Sequence, residues 1–157
     1  MSEHLKIENK EVKTGVFVYR CGSNIYGLVD CKKLAGFART LPDVVYSEDN
    51  LYTCSKKDLT SVKKVIKDYD LNRVIVCSCV PRTHEFLFRK IIEELRFNEY
   101  LFNFINVRDQ CTWVHARDSV ATFEKIKDLM KRGILKAAKL EPLEDMIHFQ
   151  KEIDGVC

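Results

Sequence analysis

Four short apolar segments, each followed by an amphipathic helical pattern, constrain this chain more than any other feature. The segments are Val16–Tyr19, Val44–Tyr46, Val74–Cys77 and Leu101–Ile105. Asp30 is placed to cap a helix running to Thr40, with Leu34, Ala35 and Ala38 on one face, and Leu41-Pro42 ends it. Leu59, Val62, Val65, Ile66 and Tyr69 form the stripe of a helix over 58–70. Phe88, Ile91, Ile92 and Leu95 do the same over 83–95, with Thr83 as its cap. Phe123, Ile126, Met130, Ile134 and Ala137 mark the longest helix, over 119–140. A β-α-β-α-β-α-β-α order predicts an α/β fold. Its form is an open, mostly parallel four-stranded sheet with helices on both faces, a Rossmann-like or flavodoxin-like three-layer arrangement joined by right-handed crossovers.

The 157 residues suffice for one domain with a real core. Residues 1–14 are polar and read as an N-terminal arm, 15–140 as the α/β domain, and 141–157, beyond the break at Pro142, as a tail. The net charge of +3 arises from 26 basic and 23 acidic side chains. The two signs are interspersed, which argues against a nucleic-acid surface. No apolar run approaches the ~20 residues that cross a bilayer, so no membrane insertion is expected. The N-terminus lacks the apolar core of a secretory signal, and the expected compartment is cytoplasmic.

Seven cysteines are many for a reducing compartment, where stable disulfides are disfavoured and metal or redox roles gain weight. Cys21, Cys54, Cys79 and Cys111 each fall just past the end of an expected strand. In a parallel sheet, those four positions meet at one edge, the edge where such folds bind ligands. Four convergent thiolates suit an iron–sulfur cluster or, alternatively, a tetrahedral zinc. There is no C-x-x-C, so any site is assembled by the fold from distant positions.

The segment Cys21-Gly22-Ser23-Asn24-Ile25 supplies a tight turn in which Gly22 takes angles closed to other residues. Its amides, through Asn24, are placed to hydrogen-bond to a bound cluster. Leu28-Val29 stands where a phosphate loop needs Lys-Ser/Thr, which rejects nucleotide binding there. Arg82, in Cys79-Val80-Pro81-Arg82-Thr83-His84, offers charge to offset a tetrathiolate or to grip an acidic substrate. His84 is open to ligation, proton transfer or plain packing. Around Cys111, Arg108-Asp109-Gln110-Cys111-Thr112-Trp113 is dense in polar groups, with Trp113 as an anchor if the segment is only a solvent loop. Cys31 and Cys77 read as core residues, and Cys157 as a terminal thiol outside the site.

The blocks CGSNI, LPDVVYSEDNLYTCS, LNRVIVCSCVPRTHEFLF and INVRDQCTWVH, in this order, resemble the N-terminal domain of the heterodisulfide reductase A subunits. The resemblance extends to about Pro142. It implies a [4Fe–4S] cluster on the cysteines matching Cys21, Cys54, Cys79 and Cys111. It also implies partners that carry flavin or further clusters, of the heterodisulfide reductase, hydrogenase or formate dehydrogenase kind. Family members continue into a flavin-binding domain. The G-x-G-x-x-G fingerprint is missing here, so no FAD is expected on this chain, which reads as a free-standing version of one domain.

The leading expectation is an electron-transfer subunit of an oxidoreductase complex, relaying electrons through one cluster and not catalytic by itself. The alternatives are a docking subunit stapled by a structural metal, or a thiol-dependent protein of disulfide reduction or metallocofactor assembly working through Cys77 or Cys79.

Overall fold

The computed structural model describes residues 11–21, 25–51 and 56–143. Four strands form one sheet: β1 (Thr14–Tyr19), β2 (Val44–Asn50), β3 (Arg73–Ser78) and β4 (Phe102–Asn106). All pairings are parallel, in the order β2-β1-β3-β4. The helices are α1 (Cys31–Ala38), α2 (Lys56–Asp68), α3 (Pro81–Glu94) and α4 (Ser119–Ala138). The chain is therefore an α/β protein with the expected three layers.

Alternation along the strands divides the core in two. Val16 and Val18 of β1, Ile75 and Cys77 of β3, and Ile105 of β4 face α1 and α4. Phe17, Tyr19, Val74, Val76 and Phe102 face α2 and α3 on the other side. β1 and the last five residues of β3 are buried throughout, as befits central strands covered on both faces. The α4 stripe of Ile126, Met130, Ile134 and Ala137 is almost fully buried, and Asp118 caps its start by accepting from the Ala121 amide at 2.9 Å. Its far end is held by Arg73, whose guanidinium donates to the carbonyls of Ala137 and Leu140 at 2.8 and 2.7 Å.

Several boundaries differ from the sequence reading. β2 continues through Ser47-Glu48-Asp49-Asn50 because it is an edge strand, whose backbone pairs with β1 while Glu48, Asp49 and Asn50 stay half-buried and Ser47 alone is fully buried. α3 begins at Pro81 with Val80 as N-cap, so Thr83 is inside the helix and does not cap it. Proline has no amide to lose at that position and its fixed φ suits the first turn. Glu11–Thr14, read as arm, is tied to the domain: Asn72 donates to the Glu11 carbonyl at 2.7 Å and accepts from the Lys13 amide at 2.8 Å, and Thr14 opens β1. Residues 1–10, and the tail from 144 with Cys157, lie outside the described residues. Among those described, no helix is long and apolar enough to cross a membrane.

Cys31 is fully buried at the start of α1 and belongs to the core, as expected. Burial first, then the Asp49 carboxylate, pushes its thiol from 9.0 up to about 12. A neutral acid whose pKa is raised by folding contributes stability that is complete below its unfolded pKa and is lost as pH climbs through the folded one. Unfolding free energy should therefore fall between roughly pH 9 and 12, and Cys31→Ala should flatten part of that fall. Urea titrations of both proteins across this range check it.

Candidate metal centre

Between β1 and β3 the chain order reverses: connections from β1 lead first to one side of the sheet, and those from β3 to the other. A crevice at the carboxyl ends of two such strands is where open α/β sheets bind ligands. Cys21 follows β1 by two residues and Cys79 follows β3 directly, so both thiols stand at this point.

They are in contact. The Cys21 sulfur lies 3.2 Å from Ser78 Oγ, and Ser78 Oγ donates to the Cys79 sulfur at 3.7 Å. The neighbouring Cys21 thiol, more than burial, pushes the Cys79 thiol far above its ordinary value. On its remaining side the Cys79 sulfur meets His84 Nδ1 at 3.0 Å. The result is a continuous polar chain, Cys21–Ser78–Cys79–His84, across the switch point.

Cys21 is held there at some cost. Its φ of 38° is left-handed, a conformation that costs a residue with a Cβ roughly 1–2 kcal/mol. Around it, the Arg20 amide donates to the Asn50 carbonyl at 2.9 Å, and the Arg20 side chain donates to Asp49 Oδ2 and lies over the Tyr26 ring. Such strain, retained by surrounding bonds, is common where a side chain must be aimed.

Cys111 arrives from the β4 end in a π-helical turn, Arg108–Thr112, that the sequence reading treated as a polar segment. Single π turns concentrate at functional sites. Its thiol is fully buried in the α1/α4 side of the core, and burial pushes it up to about 11. Trp113 does not anchor the turn by burial. It is 55% exposed, with the Arg108 guanidinium 4.9 Å from its ring centre.

Of the remaining expected site residues, Arg82 is exposed on the first turn of α3. The guanidinium whose charge acts on Cys79 is that of Arg108, from the β4–α4 connection, and it pulls the thiol downward. Arg108 Nε, 3.7 Å from Asp109 Oδ1, is buried with no hydrogen-bond partner among the described residues. Gly22, Asn24 and Cys54 lie outside the described residues. Among those described, no three His, Cys, Asp or Glu side chains converge as a metal-binding group. The sequence reading missed Ser78, which sits between the two thiols. Its position as the last β3 residue, beside Cys79, was the available signal.

Comparison with known proteins gives the family. No protein-family model matches the chain. It is 45% identical over 135 residues to an iron-sulfur A subunit (form 2) of the CoB–CoM heterodisulfide reductase of Methanopyrus kandleri, covering 86% of this chain and 21% of that protein. Identity to the A subunit of the H(2):CoB-CoM heterodisulfide,ferredoxin reductase of Methanothermobacter thermautotrophicus is 45% over 145 residues, 92% of this chain and 22% of the relative. A protein of Archaeoglobus profundus, named as like the heterodisulfide reductase A subunit, is 43% identical over 136 residues, 87% of this chain and 19% of the relative. The chain thus spans about a fifth of the length of these curated relatives. Within that span, identity at this level across nearly the whole chain places it in the family of heterodisulfide reductase A subunits.

Proposed function

We propose that this segment holds one [4Fe–4S] cluster at the carboxyl edge of its sheet and relays electrons within a heterodisulfide reductase-like complex. The observation that carries the reading is that the Cys21 and Cys79 sulfurs meet on Ser78 Oγ at the switch point, two soft donors brought together from strands far apart in sequence. Cys54 and Cys111 would complete the ligand set, each following its own strand in the rank β2-β1-β3-β4. The chemistry of the surroundings fits an anionic sulfur cluster. Arg108, whose positive charge lowers the Cys79 thiol, has a buried Nε with no hydrogen-bond partner among the described residues. One relative is named an iron-sulfur subunit, which accords with the same group.

The cluster would supply one-electron transfer. The chain's own residues would fix its position and set its electrostatic surroundings, with Ser78 and His84 bonded to the thiols and Arg108 opposing the negative charge. Partner subunits carrying flavin or further clusters would exchange the electrons. Zinc on the same thiols would instead make the module a structural staple in the complex.

Protein prepared and reconstituted without oxygen should contain about four iron and four acid-labile sulfide per chain, with absorbance near ~400 nm that bleaches on reduction. Stoichiometric zinc without iron in protein purified anaerobically from its source would overturn the reading. A cluster that is present but cannot be reduced would leave only the staple. The Cys79–His84 contact favours a second reading, a thiol-dependent activity. Alkylation that blocks a turnover while the cluster stays intact would select it.

A further inference from the structure

We infer that His84 is a positioning residue for Cys79: once that sulfur is a metal-bound thiolate it can only accept, so the imidazole Nδ1 at 3.0 Å would donate to it and help set the reduction potential of the bound group. The inference rests on the cluster reading and goes beyond it by assigning a residue outside the four thiols.

Geometry separates this role from ligation. The Nδ1–Sγ separation of 3.0 Å is that of a hydrogen bond. In a [4Fe–4S] cluster each iron takes a single protein ligand, so an imidazole ligand would bind a different iron and stand beyond hydrogen-bond reach of this sulfur. The imidazole sits where it bonds to the sulfur and not where it would ligate a neighbouring iron. An N–H donor draws electron density from a thiolate ligand and stabilises the reduced, more negative cluster, which raises the potential.

The placement is built into α3. Pro81 opens the helix directly after Cys79-Val80, so His84 is its fourth residue, one turn behind the ligand. One further turn along, Phe88 is 1% exposed and contacts Tyr19 of β1, fixing the rotation of the helix about its axis. The His84 ring itself is half-buried. Cys21 and Cys79 share Ser78, and the imidazole bonds to Cys79.

The test uses the full chain, loaded without oxygen, as wild type, His84→Leu and His84→Asn. The Asn side-chain nitrogen takes nearly the place of Nδ1 and can donate in its stead. Redox titration followed by electron paramagnetic resonance, with iron counted in parallel, should give equal iron in all three. The midpoint should move to a more negative potential in His84→Leu and return most of the way in His84→Asn. An unchanged midpoint in fully loaded His84→Leu overturns the positioning role. Loss of iron from both variants, each with native circular dichroism, also overturns it and makes the imidazole a ligand. Failure of the wild type itself to take up iron would instead bring down the cluster reading beneath it.

Discussion

Cys21→Ser and Cys79→Ser are each expected to abolish stable cluster incorporation. A serine oxygen is a harder donor than sulfur and stays protonated near neutral pH, so it binds iron in a cluster poorly. Cys54→Ser and Cys111→Ser should lose or degrade the cluster too. Cys31→Ser and Cys157→Ser should keep it, the first because its thiol belongs to the α1 core contact and bonds only weakly to the Val29 carbonyl at 3.8 Å. Iron, sulfide and visible absorbance, read on protein whose fold is verified by circular dichroism, decide the matter. Full retention in two of the four ligand variants would show that the ligands are misassigned.

The largest loss of stability should come from Phe88→Ala. The Phe88 ring lies 5.5 Å from Tyr19, 6.4 Å from Phe102 and 6.0 Å from Phe104, centre to centre, and ties α3 to β1 and β4. Its removal leaves a cavity that these rigid rings cannot close, at a cost of about 3–5 kcal/mol. That is a large share of the ~5–15 kcal/mol that holds a domain together. Denaturant midpoints should fall sharply with little change in slope. A loss under about 1 kcal/mol would mean that the aromatic cluster repacks freely.

The layers of the fold were legible because the central strands are buried on both faces and therefore read as unbroken apolar runs. The helices were legible from their stripes, and Asp30 from its place before one of them, where it accepts from the Lys33 amide. The end of β2 was not legible. An edge strand can carry Ser47 to Asn50 because only its backbone must pair, so the polar sequence conceals a regular strand. The π turn at Arg108–Thr112 was equally hidden, since it depends on where β4 delivers the chain against α4 and not on local propensity. Two of the four thiols could be paired by topology alone, Cys21 and Cys79. Arg82, adjacent in sequence, lies exposed on α3, and Arg108, from the β4–α4 connection, was not legible as a further basic group near this edge.

The central place of β1 has a consequence for the order of events in synthesis. β1 pairs with β3, whose first partnered residue, Arg73, lies opposite Thr14. Cys21 precedes Ser78, the residue that links it to Cys79, by 57 positions. At roughly 5–20 residues per second, that interval takes the ribosome about 3–11 s. Throughout it the first sulfur is made and waiting while the strand that supplies its neighbour does not yet exist. Closing that loop is fast beside synthesis and waits only for β3 to be made, and it must precede any metal uptake that needs both sulfurs. The pairing of β1 with β3 is therefore a clock as well as a scaffold: until β3 docks Cys21 stands without Cys79, and afterwards the two sulfurs meet on Ser78.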